Sequence, residues 1–182
     1  MANVNSPFGF KPLMRGIAGG PASLLQVNKL VGYGTALFIG DPVCKVGSGT
    51  KSYPTVSAAI SPGTTPVFGV NLVYGAASKA TDHLIIPATG QVFLVQCNGT
   101  ANLAASNINN NANMASGTGS SVTLLSGWVL DTNTFNTTNS LDLKIVQMFQ
   151  GTQTGQDNAI GQYARVEVIF NNTAEREQVA GA

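Results

Sequence analysis

Residues 84–103 read Leu84-Ile85-Ile86-Pro87-Ala88-Thr89-Gly90-Gln91-Val92-Phe93-Leu94-Val95-Gln96-Cys97-Asn98-Gly99-Thr100-Ala101-Asn102-Leu103. Residues 92–97 are the densest run of β-branched and large apolar side chains in the middle of the chain. Pro87 and Thr89-Gly90 stand before that run, and Asn98-Gly99 follows it. Six apolar or near-apolar residues between turn signals is strand length and too short for a stable helix. Asn-Gly suits a tight turn, because both residues tolerate positive φ at little steric cost. The reading is a central strand in an all-β domain.

Working outward, the same punctuation recurs. Residues 23–31 alternate imperfectly, with Leu25 and Val27 against Gln26 and Asn28. Residues 36–39 form a short apolar run stopped by Gly40-Asp41-Pro42, and residues 43–46 resume it. Pro42 lacks a ladder donor, so it belongs at the start of a strand or on an edge. Residues 55–60 are a weaker strand candidate and residues 67–74 a better one. Gly69, within the latter, marks a bulge or a close backbone approach. Short strands with Gly or Pro every ten or so residues predict a single β-barrel or β-sandwich.

Two strands near the end alternate cleanly. Over 141–149 one face carries Leu141, Leu143, Ile145, Gln147 and Phe149, the other Asp142, Lys144, Val146 and Met148. Over 163–170 Ala164, Val166, Val168 and Phe170 oppose Tyr163, Arg165, Glu167 and Ile169. A hairpin with a long polar tip is the simplest way to join them. Residues 121–130 also have strand character, and Trp128 reads as a core or interface residue. The Asn-rich region 98–121 is predicted as a long loop, in solvent or against a neighbouring subunit. Helical spacing over 103–114 is poor, and Asn is a weak helix former.

Residues 1–21 do not read as core. Pro7 and Pro12 fix φ and hold the residues before them extended, and Phe8 and Phe10 sit between them. Two readings stand: an arm folded over its own domain with both rings plugging a gap, or an arm that anchors in a neighbour. Residues 16–21 then form a hinge to a β-rich body over 22–182.

The 182 residues suit one domain, and 43% hydrophobic content allows a substantial core. Only 9% of residues are charged, against roughly 25% in an average soluble domain. With a formal net charge of +1, self-repulsion is weak and a large interface with other copies or an assembly is expected. The nine Lys and Arg residues are scattered singly, so no nucleic-acid partner is expected. No apolar run approaches the roughly 20 residues of a membrane helix, and no membrane partner is expected. The opening residues lack the pattern of a signal peptide, which predicts folding in a reducing cytoplasm. Cys44 and Cys97 then read as two buried free thiols, with one disulfide between their strands as the rival reading.

Catalysis needs titratable groups that converge. His83 is the only histidine, it lies in Thr81-Asp82-His83 before a strand, and it reads as a solvated turn residue. The eight acids are spread along the chain with no metal-loop spacing, and the Gly-rich stretches lack the context of a phosphate loop. The expectation is no enzyme, no cofactor, no metal and no small-molecule substrate.

The opening Met1-Ala2-Asn3-Val4-Asn5-Ser6-Pro7-Phe8-Gly9-Phe10-Lys11-Pro12 resembles the start of a group of tailed-bacteriophage structural proteins. Gly40-Asp41-Pro42-Val43, Val67-Phe68-Gly69-Val70 and Ala164-Arg165-Val166-Glu167-Val168 with Asn171 are similar to theirs too. The group is that of head decoration, or cement, proteins. The resemblance implies a β-rich domain that trimerises on the exterior of an icosahedral phage head, with the major capsid protein as partner. It also implies an extended arm that clamps adjacent capsomers, which places Pro7, Phe8, Phe10 and Pro12 at the capsid or subunit interface. A tail or fibre component that binds glycans is the alternative, and a small hydrolase built on His83 ranks third.

Overall fold

The computed structural model describes residues 3–16, 23–29, 34–47, 53–79, 81–150 and 158–175. The chain is nearly all β. Among the described residues the helical pieces are two single 3-10 turns, at 105–107 and 132–134. The strands assemble into a closed barrel and an open sheet, with one small strand pair beside them.

The barrel takes its strands in the order β2 (Leu25–Lys29), β4 (Thr55–Ser57), β3 (Pro42–Val46), β5 (Gly69–Asn71) and β6 (Asp82–Pro87). Only β2 and β4 run parallel. Val27, Leu37, Val43, Val56, Phe68 and Ile85 fill the interior. Closure removes the exposed edges that such short strands would otherwise present. Pro42 opens β3, where a missing N–H costs no ladder bond. Gly69 is a close approach: a Cβ there would lie 2.6 Å from the Ile86 carbonyl oxygen.

The open sheet runs β1 (Lys11–Gly16), β7 (Gln91–Gln96), β12 (Arg165–Phe170), β11 (Leu143–Met148) and β8 (Asn111–Ala112), antiparallel throughout. β9 (Met114–Ala115) pairs with β10 (Val129–Leu130). All six residues of β7 are buried, as expected for the strand with neighbours on both sides and packing on both faces. Residues 84–103 are thus the joint of the molecule, since β6 closes the barrel and four residues later β7 builds the sheet.

Phe93, Val95, Val166, Val168, Leu143, Ile145 and Phe170 form the sheet's contribution to the larger core, with Met114, Trp128 and Leu130 packed on it. Val70 and Ile86 of the barrel strands belong to this larger core, so the barrel wall packs on the sheet while keeping its own interior cluster. Cys44 and Cys97 are both free and buried.

Three expectations are corrected. The alternation of β11 breaks at Val146, where Ile145 faces Val168 but Gln147 faces Glu167. The extra residue is a bulge, and it turns Met148 toward the core in place of Gln147. The Asn-rich region is part of the body and not a loose loop. It supplies β8 and β9, and Leu103, Ala112 and Met114 are core residues. Its amides hold nearby backbone: Asn107 Oδ1 accepts from Ala104 N–H at 2.8 Å, and Asn111 Nδ2 donates to Thr138 O at 2.8 Å. The third correction concerns the arm. Residues 11–16 are strand β1, paired with β7 through Lys11↔Leu94 and Pro12↔Phe93, so this part of the arm belongs to the sheet. Pro12 is tolerated because β1 is an edge strand. Residues 17–21 of the expected hinge lie outside the described residues.

Candidate functional site at the N-terminal segment

The N-terminal segment is held by side-chain amides that act as surrogate peptide groups. Asn3 Nδ2 donates to Ala159 O and Gln162 O, both at 2.8 Å, and Asn3 Oδ1 accepts from Ala159 N–H at 3.0 Å. Gln96 is 1% exposed on β7. Its Oε1 accepts from Ser6 N–H at 3.0 Å, and its Nε2 donates to Val4 O at 2.8 Å. Phe10 N–H then donates to Gly40 O at 2.9 Å. That last contact requires two glycines. Gly9 has φ +70°, and a Cβ on it would lie 2.5 Å from Gly40 O; a Cβ on Gly40, at φ +92°, would lie 2.6 Å from Phe8 O.

The four residues expected at an interface therefore separate. Phe10 is 1% exposed and belongs to the larger core, its ring 4.9 Å from that of Phe170. The expectation that it inserts into a neighbour is corrected, because the ring is already enclosed by its own chain. Pro7 is exposed, and Phe8 and Pro12 are half-buried.

Phe8 and Pro12 border a groove of about 500 Å³. Its apolar lining includes Leu94 of β7 and, from the connections that flank the strands, Ile39, Leu72, Leu125 and Phe149. Lys11 and Arg165 also line it, and no carboxylate does. Asn158 braces one wall: its Nδ2 donates to Phe149 O at 2.9 Å and Arg165 O at 2.7 Å, while its Oδ1 accepts from Arg165 N–H at 2.8 Å. Near the anchored end, Val4 and Ile160 are 69% and 55% exposed, each one residue from the Asn3–Ala159 contact.

The buried titratable groups lie elsewhere. His83 is not a solvated turn residue: it sits on β6 and is 1% exposed. Asn71 Nδ2 donates to Phe38 O and Val73 O, so its Oδ1 must accept from His83 Nδ1 at 2.9 Å. His83 Nε2 is then the acceptor for the Thr81 hydroxyl at 2.7 Å. Burial pushes the His83 pKa below its usual value, and the nearby Lys29 charge adds to this. Both ring nitrogens are engaged, and the imidazole has no nitrogen directed at solvent. Lys29, buried and bonded to Ala76 O, is itself pushed down by burial.

Asp41 and Asp142 are buried carboxyls whose pKa values burial raises, with backbone donors opposing the shift. Asp41 accepts from Phe38 N–H at 2.7 Å, and Asp142 accepts from Gly63 N–H at 2.9 Å and Met114 N–H at 3.3 Å. Each ties loops together. Among the described residues no three His, Cys, Asp or Glu side chains gather as a metal site would.

No family model, curated protein or solved structure matches the chain. Sequence reasoning singled out Phe8 but missed Gln96, Phe149, Lys11 and Arg165 as its surroundings. Gln96 had a signal, an amide inside an otherwise apolar strand that must find buried partners. Phe149 and Arg165 had none, because the fold brings them to Phe8 from distant positions, and Lys11, three residues from Phe8, carries no local mark of the groove.

Proposed function

We propose that this chain is a structural protein of a tailed-bacteriophage head, a decoration or cement protein that binds the outside of the mature shell and stabilises contacts between capsomers. The observation that carries this reading is the placement of the N-terminal segment. The opening segment, one of the stretches that resemble decoration proteins, lies against the body over residues 3–12 and borders an open groove in which Phe8 is half-buried. Sparse charge and a barrel closed against free edges suit a protein that works inside a lattice. The partner would be the major capsid protein, with further copies of this chain as neighbours in a trimer.

The mechanism is linkage. A protein that binds only the expanded shell stabilises that state, by about 2.7 kcal/mol per site at a free concentration a hundredfold above Kd. Trimeric attachment multiplies weak contacts through effective concentration. The tail-component alternative needs a polar loop that meets glycans, whereas the backbone of Asn109, Asn110 and Asn111 bonds to Ile145 and Asn136 of the body.

The test is co-sedimentation of the purified protein with phage heads that lack it. Saturable binding to expanded but not unexpanded shells is expected. Absence of binding to both would overturn the reading.

A further inference from the structure

We infer that the groove beside Phe8 receives an extended segment of the shell protein in which an apolar side chain stands next to a carboxylate. The inference rests on the decoration reading and adds the chemistry of the partner.

Shape gives the first argument. Five lining residues come from the run 6–12, namely Ser6, Phe8, Phe10, Lys11 and Pro12. Such a run spans up to about 20 Å when extended. The groove follows the run, which matches a stretch of main chain better than a compact small molecule. Its volume of about 500 Å³ accommodates a few side chains.

Charge gives the second. The chain has nine Lys and Arg residues in all, and two of them, Lys11 and Arg165, line this one groove. Among the described residues neither forms an ion pair. No acidic residue shares the lining, so the cleft is both apolar and cationic in a nearly neutral protein. An apolar anchor enclosed by the floor, with a carboxylate between Lys11 and Arg165, would satisfy both features. The site is also preorganised. Asn158 fixes the backbone of Arg165 and Phe149, and Gln96 fixes the segment that forms the opposite wall, which lowers the ordering cost of binding.

The experiment uses the full chain and expanded heads lacking it. Wild type, Lys11→Glu, and the double variant Lys11→Glu/Arg165→Glu are titrated at two salt concentrations, with thermal melting as the folding control. The double variant should bind about tenfold or more weakly and with a shallower salt dependence, and Lys11→Arg should bind as wild type does. If the double variant fails to fold, Lys11→Glu alone, at an exposed side chain, decides the matter by the same loss of affinity. A photo-reactive residue in place of Leu125 should cross-link to the shell protein. Wild-type affinity in the folded charge variants overturns the inference and leaves the decoration reading standing, as does a cross-link only to another copy of this chain. Failure of wild type to bind expanded heads overturns both.

Discussion

Gln96 treats Ser6 as a neighbouring strand would, accepting its N–H at 3.0 Å while donating to Val4 O two residues earlier at 2.8 Å. One side-chain amide thus replaces a rung of sheet for a segment that has no strand pairing of its own. Gln96 is buried, but Val4 and Ser6 are exposed, so its loss would hand their C=O and N–H to water. Gln96→Ala should cost about 2 kcal/mol, the net loss of two ordinary hydrogen bonds. Hydrogen exchange at the Ser6 amide should rise well before the β7 amides exchange. Unchanged protection at Ser6 would show that the segment is held by other means.

Phe8 and Phe10 should behave as opposites. Phe10→Ala opens a cavity between Phe170 and the rest of the core, and should cost about 3–5 kcal/mol, or roughly 10 °C in Tm. Phe8→Ala should lower Tm much less and weaken attachment to expanded heads. Removing residues 1–12 would delete Phe10 along with Phe8, so that truncation should destabilise the body and is a poor test of attachment alone. Melting curves and sedimentation on the same three proteins separate the two roles.

The difference between those two rings shows where the sequence stops being legible. Residues 92–97 announced a buried strand because β-branched density and flanking turns are local signals, and 164–170 did so by alternation. The bulge at Val146 was invisible, because alternation carries no mark of where an extra residue slips in. The Asn-rich region looked like solvent-facing loop because composition was all that could be read. Asn107 bonds backbone three residues away, but Asn111 reaches Thr138, and strand β8 depends on β11, about 30 residues away. Whether Phe8 or Phe10 enters the core depends on Gln96 and Gly40, which nothing near residue 10 predicts. The groove is the extreme case, with walls drawn from positions 6 to 165.

Cys97 should be chemically silent in the folded protein. Burial pushes its thiol pKa up to about 12, and its residue has no exposed surface. Thiolate is the reactive form, so an aromatic disulfide reagent should label Cys97 only through opening of the core. Labelling in native buffer should be at least about a thousandfold slower than in denaturant, given ordinary domain stability. Rapid native labelling at Cys97 would contradict the packing of β7 against β12.

Stability should fall on mild acidification, and His83 should be the cause. Its folded pKa is lowered below 6.5 by burial, with the Lys29 charge reinforcing the shift and Asp82 opposing it. The unfolded chain therefore binds the proton more readily. The stabilisation is full above pH 6.5 and is lost as pH falls through the folded value. Asp41 and Asp142 act with the opposite sign. Their folded pKa values are raised above 3.8, so their contribution is most favourable below 3.8 and declines as pH rises through the folded values. Urea unfolding at steps from pH 7.5 to 5 should show unfolding free energy decreasing just below pH 6.5. His83→Gln, which cannot gain a proton, should flatten that slope even if its stability at pH 7.5 is lower. A slope that persists in the variant would assign the acid sensitivity to another group.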